Sequence, residues 1–425
     1  MKKIFILVLG VGLLYVLNYS KPKDVVESSK SNILKNSNTI SMMIETDNDG
    51  IYEVSKESSW PTNGYIFNEK LSKCENGGNL IWDNTKNIVK MTGETGDKCY
   101  VYFDKYEDPT LASVCTNGDS LANCIKSFAN KGADISKIYY HNSALTNGAG
   151  DNSYRFAGPS DSVNNYVCFG YNSTSGTCPT DNLYRIIGVF DNQIKLIKYD
   201  YPKSALLKTD GDYDTIYGSC EDTSDRCDDI NKGENLTTEI GSYYYNYKNS
   251  NSSSNVWSTS LLNSVNLNTN FLNTFDTVWK SKIATATWKV GGNTPSNIND
   301  VVPAQAFKNE ITTPAKDTTY DAKIGLMYVS DYGFAASPSA WTTALSDYSG
   351  LAISGVNWMY MGLQEWTIIP RSDSSIRSFA VSDSGDIFVR ASSLSVGVRP
   401  VFYLNPYVVY ASGTGTKTNP IIISS

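Results

Sequence analysis

Eight cysteines, Cys74, Cys99, Cys115, Cys124, Cys168, Cys178, Cys220 and Cys227, are the tightest constraint on how this 425-residue chain folds. They fall into near neighbours separated by turn-like sequence. An even count in an exported chain marks disulfides, so the expected pairs are Cys74 with Cys99, Cys115 with Cys124, Cys168 with Cys178, and Cys220 with Cys227. Zinc is the rival use of these thiolates. It would want paired short cysteine spacings and would commonly recruit histidine. No CxxC occurs, and the only histidine is His141.

The N-terminus supplies the export context. "MKKIFILVLGVGLLYVLNYSKPK" carries two lysines, an apolar run from Ile4 to Leu17 and a polar exit, the pattern of an export signal. The run is short for a helix crossing a ~30 Å bilayer, which favours a signal peptide. No small-x-small cleavage site follows, so residues 1–22 are a signal peptide or an N-terminal membrane anchor. A cysteine for lipid attachment is missing from its end. Residues 23–39, rich in Ser, Lys and Asn, form a linker. The chain is therefore expected at the extracellular face of the cell envelope, membrane-anchored through this segment or secreted. A net charge of −7 with no basic cluster argues against nucleic acid as a partner.

A chain of this length exceeds one ordinary core, so two or more domains are expected. Only 19% of residues are charged, with 31 Gly and 29 Tyr, which favours β-rich structure with polar loops. Residues 40–104 alternate short apolar runs with "NGG", "DNT" and "TGETGD" and predict a small antiparallel β domain clamped by Cys74 and Cys99. Residues 105–151 predict a connector with one helix in "DSLANCIKSFANKG". Asp119 or Ser120 caps it, Leu121, Ile125 and Phe128 share one face, and Gly132 stops it.

A larger domain spans residues 152–425. "LYRIIGVF" and the run from Gln193 to Tyr199 predict a hairpin turning at "DN". Phe271, Leu272, Phe275, Val278 and Trp279 recur at the spacing of one helical face, with Trp279 in the core. Further strands follow, so the class is α+β. Phe379 and Val381, then Ile387 and Val389, alternate with their neighbours about "DSGD" and predict a hairpin with one apolar face. Pro400 cannot donate to a ladder, which puts the strand from Val398 to Leu404 at an edge or makes it irregular.

The serial order of "LYRIIGVF", "VWSTSLLNSVNLNTNFLN", "IGLMYVSDYGF", "NWMYMGLQEWTI", "GDIF" and "GVRPVFYL" resembles bacterial exported surface proteins with a C-terminal C-type-lectin-like domain of the formylglycine-generating-enzyme-like branch. "NGGNLIWDN" with "DKCYVYFD" resembles the small β module that often precedes it. The enzymatic branch of that family oxidises a substrate cysteine with copper held by cysteines. No cysteine follows Cys227 and no histidine lies in this domain, so the resemblance implies the fold without that chemistry and without a cofactor.

Other chemistry is weaker. His141 stands outside the larger domain in a Gly/Asn/Ser loop and is expected at the surface. Glu365 beside Trp366 is the first candidate for a glycosidase carboxylate, yet it is better explained as a structural acid at a strand start. Asp210, Asp212, Asp214 and Glu221 occupy the first, third, fifth and twelfth places of a calcium loop. Thr215 stands where that loop wants Gly, and no helical pattern flanks it. A looser calcium site built from these oxygens is the alternative to a solvated acidic loop closed by Cys220 and Cys227, which is the better account.

In C-type-lectin-like domains, ligand contacts commonly come from loops and strands just before the terminal core strand. That implies a face made by Arg371, Asp373, Ser375, Arg377, Asp386, Phe388, Arg390, Ser392, Ser393 and Ser395, with arginine forks and Phe388 as anchors. Some such proteins diversify this segment through a retroelement, and the polar 371–395 block suits such a cassette. The expected function is surface display and binding of an extracellular protein or glycan ligand without catalysis. The alternatives are a structural cell-surface component and, behind it, an enzyme on the same fold.

Overall fold

The computed structural model describes residues 38–424 apart from 48, 62–63, 84, 94–95, 173–176, 219–239 and 250–251. The N-terminal segment 1–22, nearly all of the 23–39 linker, Cys220, Cys227 and Glu221 thus lie outside the described residues. Two compact units divide between Asp108 and Pro109. Helix and strand are mixed, in keeping with an α+β class.

In the smaller unit Lys98–Lys105 is the central strand, pairing antiparallel with Tyr65–Phe67 and Lys73–Cys74. Its pairing with Thr39–Glu45 is parallel. The expectation of a purely antiparallel module is corrected there, because local turn signals reveal hairpins but not the return of a distant strand beside the first. Alternation along Lys98–Lys105 turns Cys99, Val101 and Phe103 inward. Phe103 meets Trp60, Phe67 and Trp82 at ring distances of 5.8, 6.0 and 5.4 Å. Cys74 and Cys99, directly opposite in register, form the expected disulfide.

The larger unit starts at Pro109 and absorbs the segment expected to be a connector. Helix Leu121–Ala129 buries Leu121, Cys124, Ile125 and Phe128 in the same core as the main sheet, and Cys115–Cys124 staples its entry. Neither expected cap bonds the helix through its side chain. Asp119 instead accepts the backbone N–H and hydroxyl of Thr116, each at 2.8 Å. Gly132, with φ +98°, breaks the chain after it, as a residue without a Cβ can.

Among the described residues the main sheet has nine strands, with Leu183–Phe190 near its middle. That strand pairs with Gln193–Lys198 on one side, and with Tyr166–Cys168 and Ser153–Phe156 on the other. Asp191 and Asn192, at φ +46° and +66°, make the predicted two-residue turn. Cys168–Cys178 is also disulfide-bonded.

Val401–Tyr403 lies between Gln193–Lys198 and Ile324–Gly325, not at an edge. Pro400 immediately precedes it and accepts the Lys198 N–H, so the ladder loses no donor within the strand. The last strand, Ile421–Ile423, pairs parallel with Tyr166–Cys168 and closes the unit. The predicted Phe271–Trp279 face is broken. A helix over Leu262–Phe271 tightens through Leu272–Thr274, Phe275 turns extended, and Asp276 caps a new helix, Thr277–Lys282, through the Trp279 N–H. Phe271, Phe275 and Trp279 remain buried while Val278 faces solvent.

Charge is buried in this core. Arg399 Nε donates to both oxygens of Glu365 at 2.9 and 3.0 Å, and its Nη2 donates to the Met359 carbonyl. Tyr201 adds a hydroxyl donor to Glu365. A second group joins Lys195 and Arg155 to Asp331 at the first turn of helix Val329–Ala335. Asp151 pairs with Arg155 at its margin. Arg185 is held by neutral acceptors, Asn165, Ser160 and the Val163 carbonyl, and lies over Tyr166 and Trp358.

Removing one member of a buried pair leaves the other uncompensated, at a cost of about 3–5 kcal/mol. Arg399→Met is expected to destabilise the larger unit by that amount in urea unfolding. Adding Glu365→Leu should recover most of the loss. An unchanged midpoint in the single variant would contradict the pairing.

Candidate ligand-binding face

Strands Glu365–Pro370, Arg377–Val381 and Ile387–Ala391 form a three-stranded antiparallel sheet. The first two are joined by the loop 371–376. Asn255 clamps it: one side-chain amide shares its donors among the carbonyls of Arg371, Ser374 and Arg377, at 2.7–2.9 Å. The Asn255 N–H donates to Ser375 O. Loop backbone that would otherwise need water is thereby satisfied by protein, and the loop is held in one shape.

On that frame Arg371 and Asp373 form a two-bond fork at 2.9 and 2.8 Å. Pairing raises the guanidinium pKa and lowers that of the carboxyl. Ser375 and Arg377 are exposed beside them. These four residues are brought together as the sequence suggested. Ser393 reaches the same end, since Ala391 lies opposite Arg377 and the Ser392 N–H donates to Ile376 O.

The other proposed contacts separate. Asp386 lies at the opposite end of the hairpin, where it accepts the hydroxyls of Ser382 and Ser384. That turn is docked inward: Tyr332 and Tyr360 donate to the carbonyls of Gly385 and Asp383. Gly385 has φ +90°, and a Cβ there would collide with Ile353. Phe388 packs half-buried against the core. Ser392 is fully buried facing Ser378 and is corrected from contact to core. Arg390 is half-buried, and its Nε lacks a hydrogen-bond partner. Ser395 donates to Asp214 at 2.7 Å. The predicted hairpin is real, but Ser378 and Ala380 are buried along with Phe379 and Val381, so both faces of its first strand are covered.

Three apolar side chains at the loop end were missed. Ile376 is 45% exposed, Leu394 48% and Val256 49%. Each lies within two residues of the bonds that tie Asn255 to Ser375 and Ser392 to Ile376. Ile376 was visible as a lone apolar residue inside "SDSSIRS". Asn255 carried no signal, since it sits in an Asn/Ser-rich tract where one Asn resembles the next.

The calcium candidates do not converge. Buried Asp212 accepts four backbone N–H groups, from Tyr247, Lys248, Leu261 and Leu262, at 2.8–3.0 Å, which fills the lone pairs a cation would need. Asp210 is bonded by Asn270, and Asp214 by Tyr244 and Ser395. Glu221 lies outside the described residues. Among those residues, the one group of acid and thiol ligands close enough for a metal is Cys74, Asp97 and Cys99, whose cysteines form a disulfide.

Glu365 is the structural acid expected at a strand start, with burial raising its pKa against the pull of Arg399. His141 is not at the surface. It ends strand Ile138–His141 in the main sheet, wholly buried, with Phe334 edge-on at 4.7 Å. Its Nδ1 accepts the Ala149 N–H, and its Nε2 has no partner. The Gly/Asn loop that suggested exposure wraps over it.

Burial and the nearby charge of Arg155 push the His141 pKa from 6.5 down to about 3. Between those values the unfolded chain takes up a proton that the folded one does not. Its stability contribution is therefore intact above pH 6.5 and falls by about 1.4 kcal/mol per pH unit toward acid. Buried Glu310, raised from 4.5 to about 7 by burial, acts in the opposite sense, favouring the folded state below pH 7. Comparison with His141→Asn, which keeps an acceptor for Ala149, isolates the histidine. Urea unfolding should show wild type losing about 1 kcal/mol per unit relative to the variant from pH 6 to 4, whereas a constant difference would contradict the burial.

Comparison with protein-family models, with curated proteins and with solved structures returned no match.

Proposed function

We propose that the chain is an exported surface protein of bacterial type whose larger unit is a C-type-lectin-like domain. It binds an extracellular ligand through the clamped 371–377 loop and Leu394. The observation that carries this reading is the clamp. Asn255 satisfies the carbonyls of Arg371, Ser374 and Arg377 from within the protein, and the loop so held exposes Asp373, Ser375, Ile376 and Arg377, with Arg371 half-buried beside them. A loop of fixed shape binds without a further ordering cost.

Exposed Ile376, Leu394 and Val256 bordered by arginines match the apolar centre and polar rim of a protein-binding patch. That composition favours a protein ligand over a glycan. Three disulfides among the described residues support export to an oxidising compartment. No helix among the described residues is long and apolar enough to cross a membrane. Residues 1–22 are assigned as a signal peptide or an N-terminal membrane anchor.

An array of glycans and purified cell-surface proteins probed with the full chain should yield a ligand. Ile376→Asp with Leu394→Asp is expected to weaken its binding more than about tenfold, a loss of about 1.4 kcal/mol. Asp386→Ala, at the far turn, should leave it unchanged. Equal affinity of wild type, the double variant and Arg377→Ala would remove this face from the function.

A further inference from the structure

The ligand face leaves one cluster of reactive side chains without a role. Lys195 projects from Gln193–Lys198 into the core, and its Nζ lies 2.5 Å from Oδ2 of Asp331. Both side chains are buried. Four aromatic rings surround the amine, with centroids 4.4 Å away for Tyr328, 5.2 Å for Tyr403, 5.5 Å for Phe190 and 5.6 Å for Trp288. The carboxyl of Glu310, also fully buried, accepts the N–H groups of Val329 and Ser330, the residues just before Asp331.

We propose that Lys195 and Asp331 condense into an intramolecular amide, with Glu310 carrying the proton. An amine and a carboxyl in contact have already met the orientational cost that makes amide formation slow between free molecules. The surroundings favour the uncharged amine. Burial lowers the Lys195 pKa, which favours the free, nucleophilic amine, and in the proposed step the proton it gives up passes along the 2.5 Å contact to Asp331 Oδ2. The Val329 and Ser330 N–H groups hold the buried Glu310 carboxyl at the same helix start as Asp331, and burial raises its pKa to about 7, which suits it to carry a proton there.

The lone pair of Nζ attacks Cγ of Asp331 and forms the C–N bond. Negative charge develops on Oδ1, which faces the Arg155 guanidinium at 3.6 Å. The Glu310 carboxylate takes a proton from the nitrogen and returns it to Oδ2, which leaves as water. In sum an ammonium and a carboxylate become one neutral amide and one water, with no oxidant or co-reactant. Because the rings exclude bulk water, the reverse hydrolysis lacks its reagent. The product also removes a buried ion pair, whose desolvation opposes folding. It would tie together two elements 136 residues apart in sequence.

The test is peptide mapping of the purified full chain by mass spectrometry after reduction and trypsin digestion. The expected product is a branched peptide joining the Lys195 and Asp331 segments, lighter than their sum by one water and uncleaved after residue 195. Recovery of the two segments as separate peptides at their sequence masses would overturn the proposal. Lys195→Arg keeps the ion pair but should give unlinked peptides. A water loss persisting in that variant would assign the condensation elsewhere and overturn the Lys195–Asp331 bond. Glu310→Gln should stay unlinked while keeping the wild-type circular dichroism. Linkage at the wild-type rate in that variant would overturn the role given to Glu310.

Discussion

Glu365 and Arg399 meet in the interior of the larger unit, and the arrangement around them follows from the need to compensate both charges. Glu365 begins the strand that carries the candidate loop, and Arg399 immediately precedes Pro400 and the strand Val401–Tyr403 in the main sheet. Their contact, with Tyr201 and the Met359 carbonyl completing it, therefore fixes the small three-stranded sheet against the large one. Among the described residues four more cations, Arg155, Arg185, Lys195 and Lys198, are buried in this unit. Each is surrounded by carboxylates, carbonyls or aromatic rings, because a charge removed from water without such partners costs several kcal/mol. Such networks favour one packing arrangement, since a shifted strand would strand a charge.

This rigidity separates two roles within the segment 371–395. Ser378, Phe379, Ala380 and Ser392 belong to the interior, and the turn at Gly385 is fastened by tyrosines. What remains outward is one end of the sheet, the loop shaped by Asn255 and the neighbouring Leu394. In the binding role proposed for it, such a surface would draw its precision from the backbone bonds beneath it and leave its side chains free to suit a ligand. The proposed amide lies in the main-sheet core and serves a different purpose, the resistance of the scaffold to unfolding.

Several elements were legible from local pattern alone. The Leu183–Phe190 hairpin announced itself through "DN", the helix at Leu121 through its spacing, and three disulfides through proximity in sequence. The failures share a cause. Asn255 acts on a loop more than a hundred residues away, the parallel partner of Lys98–Lys105 lies at the other end of its unit, and His141 is covered by aromatic residues nearly two hundred positions later. Pairing at such separations leaves no periodic trace. Alternation misled at Ser378 and Ser392, where a small hydroxyl is tolerated in the interior and is indistinguishable in sequence from an exposed one. Half of the candidate face, Arg371 to Arg377, was readable because it is a contiguous polar loop; its apolar members were outweighed by the serines around them.

The central claim is that the 371–395 segment divides into a buried frame and an outward face. A saturation library of these positions, displayed on cells and sorted for protease resistance, measures that division directly. The account predicts that Arg371, Asp373, Ser375, Ile376, Arg377 and Leu394 tolerate most polar substitutions, while Ser378, Phe379, Gly385 and Ser392 tolerate few. Intolerance spread evenly over both groups would contradict it.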